Sequence, residues 1–505
     1  MQALPPFASI CILGGGTAGW MAASLLQHHW GPLGARVTLI ESSSIGIIGV
    51  GEGSTPQLKH FFDTIGISEG EWMPRCDATY KTGIEFIGWS AEPGFESYFH
   101  PFATELDVHT APQFFFNARA RRNGRDVFAH PDRFFLPTSL AHRRLAPLPS
   151  DNFPFETSYG YHFDAHLVGT FLREVAVARG VTHVDARVAS VELAADGRVV
   201  ALLSDDGRRF EADLFIDASG FRSLIIEGAL AEPYRSFADN LFNDSAVVVR
   251  TPTPPGGPDV CTRSFARAAG WIWQIPLTSR VGNGYVYSSH FLDREGAAAE
   301  LRKHCGLPED AEVRHLSMRV GQIERSWVGN CLAIGLAQGF LEPLEATALH
   351  IVMATVEGFI REVEKSGTGP EAHERFNAAI SRRYEGIRDY IVCHYRTARR
   401  RDSEYWRAAT SHDELSDSLK GVITAWFTGR DLVEEIERQD IPYYNAISWH
   451  CMLAGYGNFP AAGRLIPPPP DVPGVDMGQI DRFIEGCARN FPPHREALQL
   501  LREAA

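Results

Sequence analysis

A run of glycines near the amino terminus is the first feature whose spacing could do chemistry. The glycines fit G-x-G-x-x-G, directly after a short apolar run and before a segment with helical apolar periodicity. In such a loop the first glycine permits a tight turn, the second lets the backbone approach a pyrophosphate, and the third allows close packing of helix on strand. The next predicted strand ends at Glu41, where an acidic side chain would bind ribose hydroxyls. The pattern predicts a dinucleotide site whose loop contacts are Gly14, Gly16, Thr17, Ala18 and Gly19.

Two further segments favour a flavin dinucleotide over a nicotinamide one. The first is a second glycine loop, G-V-G-E-G at 49–53, which would let the backbone approach a flat ring. The second is D-A-S-G-F-R at 217–222, which follows an apolar strand and resembles the late motif of FAD-binding monooxygenases and halogenases. Together with the segment after the predicted strand 331–334, they supply six predicted cofactor contacts: Gly49, Val50, Gly51, Glu52, Asp217 and Leu336.

Two tryptophans alternate in the apolar segment G-W-I-W-Q-I-P at 270–276. Alternate residues of a strand point to one face, so Trp271 and Trp273 would form one bulky wall. The segment matches the W-x-W-x-I-P signature of flavin-dependent halogenases, which related monooxygenases lack. In that family the proposed role of the wall is to keep the substrate away from the oxygen-activating flavin.

The same resemblance extends to two segments with ionisable side chains. Y-K-T-G-I-E-F-I-G-W at 80–89 is similar to the family's catalytic-lysine segment, with Lys81 at the match. F-L-E-P-L-E-A-T-A at 340–348 is similar to its halide and glutamate segment, with Glu345 at the match. Three other segments also resemble the tryptophan and indole halogenases in order and spacing: the first glycine loop, 217–223 and 282–289. The likeness fades beyond about residue 395.

This resemblance implies that reduced FAD, O2 and a halide ion give hypohalous acid, which halogenates an electron-rich ring. The halide would lie at the backbone N–H groups of Thr347 and Ala348, at the start of a helix predicted over about 347–360. Lys81 would polarise hypohalous acid or form a haloamine, while Glu345 would orient that species and accept the proton leaving the ring. Burial should perturb both pKa values, with mutual attraction offsetting desolvation.

The halide segment departs from the family pattern F-x-x-P-x-x-S-x-G. Ala346 and Ala348 replace its serine and glycine, which removes a hydroxyl and adds a Cβ at the anion loop. Because bromide is larger and more easily oxidised than chloride, we expect bromide to be preferred.

The substrate region resembles the family in one part and departs from it in another. His100 and Phe102 resemble the family's ring-sandwiching segment, whereas 441–450 only loosely resembles the region that grips the ammonium and carboxylate of tryptophan. We therefore expect indole or a substituted indole to be accepted, and free tryptophan poorly. The predicted substrate contacts are His100, Phe102, Trp271, Trp273, Tyr443 and Tyr444.

Three other functions fit parts of the sequence. An FAD-dependent aromatic hydroxylase shares the glycine loops, but it needs direct contact between substrate and activated flavin, which the tryptophan wall would obstruct. A halogenase of phenols or carrier-bound pyrroles would share the tryptophans and Lys81. A catalytically silent FAD-binding protein would keep the glycine loops but has no need for Lys81 with Glu345.

Composition and charge limit the classes of protein to which the chain can belong. The net charge of −14 over 505 residues argues against a general nucleic-acid binder. No stretch approaches the roughly 20 apolar residues of a membrane span, and the first residues do not resemble a signal peptide. Eight scattered cysteines without a CxxC predict neither a metal site nor a disulfide framework, which fits a reducing cytoplasm. The resemblance implies a separate flavin reductase and leaves open whether the chain forms a homodimer.

Alternating strands and helices predict an α/β fold. We expect a Rossmann-like FAD-binding module of the glutathione-reductase or monooxygenase type, an inserted mixed-sheet substrate layer and a helical C-terminal region. The FAD-binding module is assigned to 1–90, 165–230 and 320–360, the substrate-side layer to 91–164 and 231–319, and the helical region to 361–505. Segments 186–194 and 199–204 are interpreted as parallel-sheet strands, together with 214–216.

Overall fold

The structure is a computed structural model that describes residues 4–45, 51–439, 443–469 and 474–504. The chain divides into two compact units, each built from three separate segments. The first unit comprises Met1–Asp77, Phe163–Phe237 and Arg319–Tyr384, and the second comprises Ala78–His162, Ala238–Met318 and Glu385–Ala505.

The two largest differences from the predicted division lie at 78–90 and 361–384. Residues 78–90 belong to the second unit because Gly83–Ile87 pairs there with Thr262–Arg267. Residues 361–384 belong to the first unit, where the Phe376 ring packs edge-on against Trp327 at 5.7 Å between centroids.

The core of the first unit is a six-stranded sheet, parallel except at one edge. Its strand order is Trp327–Val328, Cys331–Ala333, Leu214–Asp217, Ser9–Leu13, Arg36–Glu41 and Thr182–Asp185. In the central strand Ile12 pairs with Leu39 on one side and Ile216 on the other. These residues are fully buried, as expected for parallel strands covered on both faces. The predicted α/β fold is confirmed here.

The interpretation of 186–194 and 199–204 as parallel strands was wrong. Val188–Leu193 and Val199–Ser204 pair antiparallel in a separate three-stranded sheet with Arg209–Glu211. Val188–Leu193 is exposed at most of its positions, which an antiparallel sheet tolerates and a parallel one does not. Only Leu214–Asp217 joins the parallel sheet.

The remaining elements of the first unit surround these sheets. Short strands are Gly51–Gly53, Tyr234–Ser236, Gly321–Ile323 and Gly339–Phe340. Its α-helices are Thr17–Trp30, Gln57–Thr64, Glu69–Trp72, Ala165–Ala178 and Ala348–Ser366, and Pro370–Thr397 begins in this unit. Short 3-10 or π turns are Gly31–Leu33, Pro74–Cys76, Gly220–Arg222, Leu224–Ala229, Gly335–Ala337 and Pro343–Glu345.

The second unit is built on a seven-stranded mixed sheet. The strand order is Arg314–Ser317, Ser245–Pro252, Arg280–Tyr287, Gly270–Pro276, Thr262–Arg267, Gly83–Ile87 and Ser97–Pro101. Every neighbouring pair is antiparallel except Thr262–Arg267 with Gly83–Ile87. A shorter strand, Thr79–Lys81, pairs antiparallel with Gly160–Asp164.

Helices complete the second unit and confirm the predicted helical C-terminal region. They are Ala111–Arg122, Leu136–Arg143, Arg294–Cys305, Glu404–Ser411, Asp417–Phe427, Leu432–Gln439, Ala446–Gly455, Met477–Ala488 and His494–Ala504. Short 3-10 turns are Glu105–His109, Pro131–Arg133 and Ala462–Arg464. Among the described residues of the chain, no helix combines the length and apolar character that a membrane crossing requires.

Candidate functional site

The first glycine loop of the first unit is shaped by close backbone contacts. Gly14 has a φ of +118°, and a Cβ there would lie 2.1 Å from the carbonyl oxygen of Ala218. A Cβ at Gly19 would lie 1.9 Å from the carbonyl oxygen of Gly14. A Cβ at Gly16, by contrast, would meet no atom within 4 Å. Gly14 and Gly19 are therefore needed for internal packing, whereas Gly16 faces open space at the start of the helix.

The helix start next to this open space offers backbone donors. Gly16 is the N-cap residue of Thr17–Trp30 and contributes no side-chain cap, so the first N–H groups keep their capacity for an anion. The Thr17 hydroxyl donates instead to the carbonyl of Ala165, at 3.2 Å. A pyrophosphate fits this arrangement because it needs backbone donors and room for close approach.

Glu41 lies against the same loop, at the end of its strand. A Cβ at Gly15 would lie 1.6 Å from Oε2 of Glu41. The other oxygen of the carboxylate lies 2.9 Å from Nε2 of His183 and 3.8 Å from a guanidinium nitrogen of Arg173. The acidic side chain is thus beside the loop, in the position from which we expect it to bind ribose.

Asp217 organises the turn that follows its strand. One carboxylate oxygen accepts from the backbone N–H and hydroxyl of Ser219 at 3.0 and 2.6 Å. The other accepts from the backbone N–H groups of Ile225 and Ile226 at 2.8 and 2.9 Å. Burial raises the pKa of this carboxyl, and these four hydrogen bonds oppose the shift. The contacts give Asp217 a clear role in shaping the turn, while its contact with a cofactor remains a prediction.

The segment with Leu336 packs onto the first glycine loop. Leu336 lies in the turn Gly335–Ala337, and a Cβ at Gly335 would lie 2.9 Å from the Cβ of Ala18. The Ser223 hydroxyl donates to the carbonyl of Ala337 at 3.1 Å. Three segments distant in the sequence therefore meet around one loop, as a cofactor site would require.

The second glycine loop is described only in part, because Gly49 and Val50 lie outside the described residues. Gly51–Gly53 forms a short strand that contains Glu52. Burial raises the pKa of Glu52 to about 7, and the negative charge of Asp164 adds to the shift. A carboxyl that changes charge near neutral pH thus lies in a loop predicted to contact the cofactor.

The Glu345 segment turns sharply into a helix. Glu345 is 3% exposed and ends the turn Pro343–Glu345, and Ala346 follows with a φ of +54°. The helix Ala348–Ser366 begins directly afterwards with buried Thr347 as its N-cap residue, and no side chain caps it. The predicted helix start is confirmed, and its first N–H groups are the predicted halide donors.

Sequence reasoning missed a histidine in the first turn of this helix. His350 lies with Nδ1 3.2 Å from the hydroxyl of Thr55 and Nε2 3.5 Å from a guanidinium nitrogen of Arg383. Burial, together with the Arg383 charge, lowers the pKa of His350 to about 3. The neutral ring connects the end of the second glycine loop to the start of the helix after Glu345.

In the second unit, Lys81 is completely buried. It ends the strand Thr79–Lys81, opposite Gly160 of the neighbouring strand, with 0% of its surface exposed. Its Nζ lies 5.1 Å from the centre of the Phe102 ring, so two predicted site residues are in contact. The backbone N–H of Phe102 donates to the carbonyl of Thr82 at 2.9 Å, which holds the ring beside the lysine.

The two tryptophans share one face of Gly270–Pro276, as predicted from their alternation. Their ring centroids are 6.0 Å apart, and Trp271 and Trp273 are 1% and 6% exposed. Directly across the sheet from Trp273 is Gly284, where a Cβ would lie 2.0 Å from the indole ring. The glycine therefore makes room for the wall.

Ring contacts connect the tryptophans to other predicted substrate residues of this unit. Trp271 packs on Trp89, which packs edge-on against His394, which contacts Tyr390 at 5.1 Å. Tyr390 in turn stacks on Tyr444 with centroids 3.6 Å apart and lies 5.9 Å from the ring of His100. Tyr443 packs on Tyr444 at 5.0 Å. Sequence reasoning missed Tyr390, which lies in a helical segment without a distinguishing motif.

The part of the chain that the structure describes contains no group of three or more His, Cys, Asp or Glu side chains arranged to hold a metal ion.

Comparisons with known proteins identify the family to which the chain is similar. The family model described as tryptophan halogenase matches residues 9–466. The chain is 36% identical over 485 residues to the 7-chloro-L-tryptophan 6-halogenase KtzR of Kutzneria sp. (strain 744), covering 90% of this chain and 92% of that protein. It is 34% identical over 485 residues to the tryptophan 7-halogenase RebH of Lentzea aerocolonigenes, covering 90% of each.

Solved structures show the same likeness. BrvH, a flavin-dependent halogenase from Brevundimonas sp. BAL3, is 32% identical with a TM-score of 0.85, covering 98% of this chain and 99% of that one. Xcc4156, a flavin-dependent halogenase from Xanthomonas campestris, is 34% identical with a TM-score of 0.84, covering 98% of each chain.

Proposed function

Because this chain belongs to the tryptophan halogenase family and is a flavin-dependent halogenase, we propose that it halogenates an indole-like molecule with hypohalous acid directed by Lys81 and Glu345. The observation that carries this proposal is the burial of Lys81 beside Phe102. Removing an ammonium from water costs free energy, and structural cores rarely contain lysine. A reaction that needs one fixed N–H donor in a dry site would account for the cost of burying this lysine, and the burial therefore supports the proposal.

FAD fits the residues of the first unit. The open space at Gly16, the uncapped helix start after it and the Glu41 carboxylate would hold pyrophosphate and ribose. The turns containing Asp217 and Leu336 would complete the site. When bound in its reduced form, FAD supplies two electrons and the halide supplies two more, so that O2 yields hypohalous acid and water.

The halide ion would be held by backbone donors at the start of Ala348–Ser366. The N–H groups of Thr347 and Ala348 supply partial positive charge without a cationic side chain. Because Ala346 and Ala348 stand where the family pattern has serine and glycine, we expect bromide to be preferred over chloride. Competition between the two halides at equal concentration measures this preference, and a chlorinated major product would contradict it.

Lys81 and Glu345 would divide the work of electrophilic substitution. The Lys81 ammonium donates a hydrogen bond to the oxygen of hypohalous acid, which makes the halogen more electrophilic. A ring carbon then bonds to the halogen as the oxygen–halogen bond breaks, and the departing hydroxide takes a proton from the Lys81 ammonium to form water. The ring proton passes to the Glu345 carboxylate, which restores aromaticity.

The aromatic rings of the second unit favour a flat heteroaromatic substrate. His100, Tyr390 and Tyr444 form one set of ring contacts, and Phe102 lies beside Lys81. The segment expected to grip an amino acid's charged groups departs from the family pattern, so indole should be accepted better than free tryptophan.

The reduced cofactor is expected to come from a separate flavin reductase by diffusion, in the cytoplasm. The purified chain should then not oxidise NADH by itself. A homodimer remains compatible with this supply, because diffusing FAD needs no docking surface.

An aromatic panel tests the function directly. The chain is incubated with a flavin reductase, NADH, FAD and bromide, and products from indole, tryptophan, phenol and pyrrole substrates are identified by mass spectrometry. We expect bromoindole from the wild type and a loss of about 1,000-fold in Lys81→Ala at unchanged FAD binding. Hydroxylated products formed without halide would instead support the hydroxylase, and undiminished directed bromination by Lys81→Ala would contradict the assignment of Lys81.

A further inference from the structure

Two buried histidines lie at the strand that carries Lys81, and neither belongs to the motifs of the reaction. His162 faces Thr79 across the paired strands, and Thr79 lies two residues before Lys81. His494 begins the last helix of the second unit, beyond the residues matched by the family model. Both are almost completely buried, at 0% and 1% exposure.

The hydrogen bonds of His494 require a neutral ring in one tautomer. Its Nδ1 lies 3.1 Å from the carbonyl oxygen of Pro258, which can only accept, so Nδ1 carries the proton. Its Nε2 lies 3.3 Å from the backbone nitrogen of Tyr80, which can only donate, so Nε2 accepts. His494 therefore satisfies a backbone N–H at the edge of the Lys81 strand, immediately before Lys81.

His162, on the side-chain face of the strand, is also neutral with its proton on Nδ1, as its hydrogen-bond partners require. The Thr79 hydroxyl donates to the carbonyl of Pro276 at 2.7 Å and therefore accepts from Nδ1 of His162 at 3.0 Å. Nε2 of His162 then accepts from the hydroxyl of Thr262 at 3.0 Å. The network joins the Lys81 strand to the end of the tryptophan strand, because Pro276 is the last residue of Gly270–Pro276.

The neutral state of both rings matters because the Lys81 ammonium nearby is positively charged. Burial lowers the pKa of His162 well below its usual value, and the positive charge of Lys81 lowers it further. Burial also lowers the pKa of His494 to about 4. Two uncharged imidazoles can thus supply hydrogen bonds next to a buried ammonium without adding like charge.

We propose that His494 and His162 are positioning residues for Lys81, which hold its strand from the backbone edge and from the side-chain face. This inference rests on the proposed catalytic role of Lys81. Small displacements of a reacting group are costly: about 1 Å can lower a rate 100-fold. A displaced ammonium would also let hypohalous acid leave before it meets the ring.

Paired polar variants separate positioning from mere stability. His494→Gln can still reach the N–H of Tyr80 with its amide oxygen, whereas the shorter His494→Asn cannot. The matched controls are His450→Gln and His450→Asn, since His450 is equally buried in the same unit but bonds to Ala446 of its own helix and stacks on Phe115. Thermal unfolding and FAD binding are measured for all four.

The decisive readout is the partition of oxidised bromine. Each variant receives reductase, NADH, FAD, bromide and indole, and bromoindole is measured against free hypobromous acid captured by a dimedone trap. We expect His494→Asn to lower kcat about tenfold, to leave KM for indole within about twofold and to raise the trapped fraction about threefold. His494→Gln should restore the wild-type partition, and both His450 variants should retain it.

Two results would overturn the inference. An unchanged partition in His494→Asn, alongside loss of bromoindole in Lys81→Ala, would reject the positioning role and leave the proposed function standing. Undiminished directed bromination by Lys81→Ala would instead reject the function assigned to Lys81, and the positioning role with it.

Discussion

The glycine loop of the first unit and the Lys81 strand of the second unit are both short, but the loop combines a contact within its own turn with close contacts to distant segments such as Ala218, whereas the strand is held by hydrogen bonds from distant residues. Gly14 and Gly19 contact each other within one turn, and Glu41 follows on the next strand. The Lys81 strand depends on His162, Pro276 and His494, with hydrogen bonds spanning 83, 197 and 414 residues.

The difference teaches that two parts of one reaction can be encoded in different ways. A loop for a dinucleotide works through backbone geometry, which glycines at a fixed spacing make possible. A buried ammonium needs neutral hydrogen-bonding partners on several sides, and these come from wherever the fold brings chain together. Substitutions in the loop should therefore act on FAD binding and stability, and substitutions around the strand on the delivery of halogen.

Substitution within the loop gives the largest expected effect on stability. Gly14→Ala should cost about 3 kcal/mol or more, because its φ of +118° is strained for alanine and its Cβ would clash with Ala218. Gly16→Ala should cost less than about 1 kcal/mol yet weaken FAD binding, since its Cβ would enter the open space. Chemical denaturation and FAD titration measure the two effects. Equal destabilisation by both variants would contradict the assignment of Gly14 to internal packing and of Gly16 to FAD binding.

Acid should lower the free energy of unfolding through His494, which contacts the Lys81 strand. An unfolded histidine binds a proton near its usual pKa of about 6.5, whereas folded His494 does so only near 4. Stability is therefore lost as pH falls through this interval, by about 2 kcal/mol from His494 alone at pH 5. Denaturation at pH 7.5 and 5 should show a smaller loss in His494→Gln than in wild type. Identical losses would contradict a neutral buried His494.

Glu52 gives the smallest expected effect, with the opposite pH dependence. Its pKa is raised to about 7 in the folded state. The free energy of unfolding therefore decreases as pH rises from about 4.5 to 7. Glu52→Gln should stabilise the chain by about 1 kcal/mol at pH 8, allowing for partial solvent screening, with little effect at pH 4.5. The exposed Glu174→Gln serves as the control. A gain that does not depend on pH would show that the carboxyl is not the cause.

Sequence reasoning predicted the parallel sheet because its strands are short, continuous apolar runs between glycine loops and helices. It failed at Val188–Leu193 and Val199–Ser204, where an apolar run belongs to a small antiparallel sheet. Strand direction depends on the partner, and the partner is not visible in a run of five or six residues.

The candidate site was predicted unevenly for a related reason. Lys81, Glu345 and the tryptophans stand in segments with recognisable spacing. His350, Tyr390, His162 and His494 do not, because a buried histidine or tyrosine has no local pattern that separates it from an ordinary core residue. Donor and acceptor geometry identified the three histidines, and ring contacts identified Tyr390.

The order of residues alone determined the dinucleotide loop, the paired tryptophans on one strand face and the helix start after Glu345. Each depends on backbone geometry or side-chain direction over a few neighbouring residues. Tertiary structure decided that Lys81 is buried, which strands surround it and which histidines stay neutral beside it. Burial and hydrogen bonding depend on what the rest of the chain places around a group, and here one partner of the Lys81 strand lies 414 residues away.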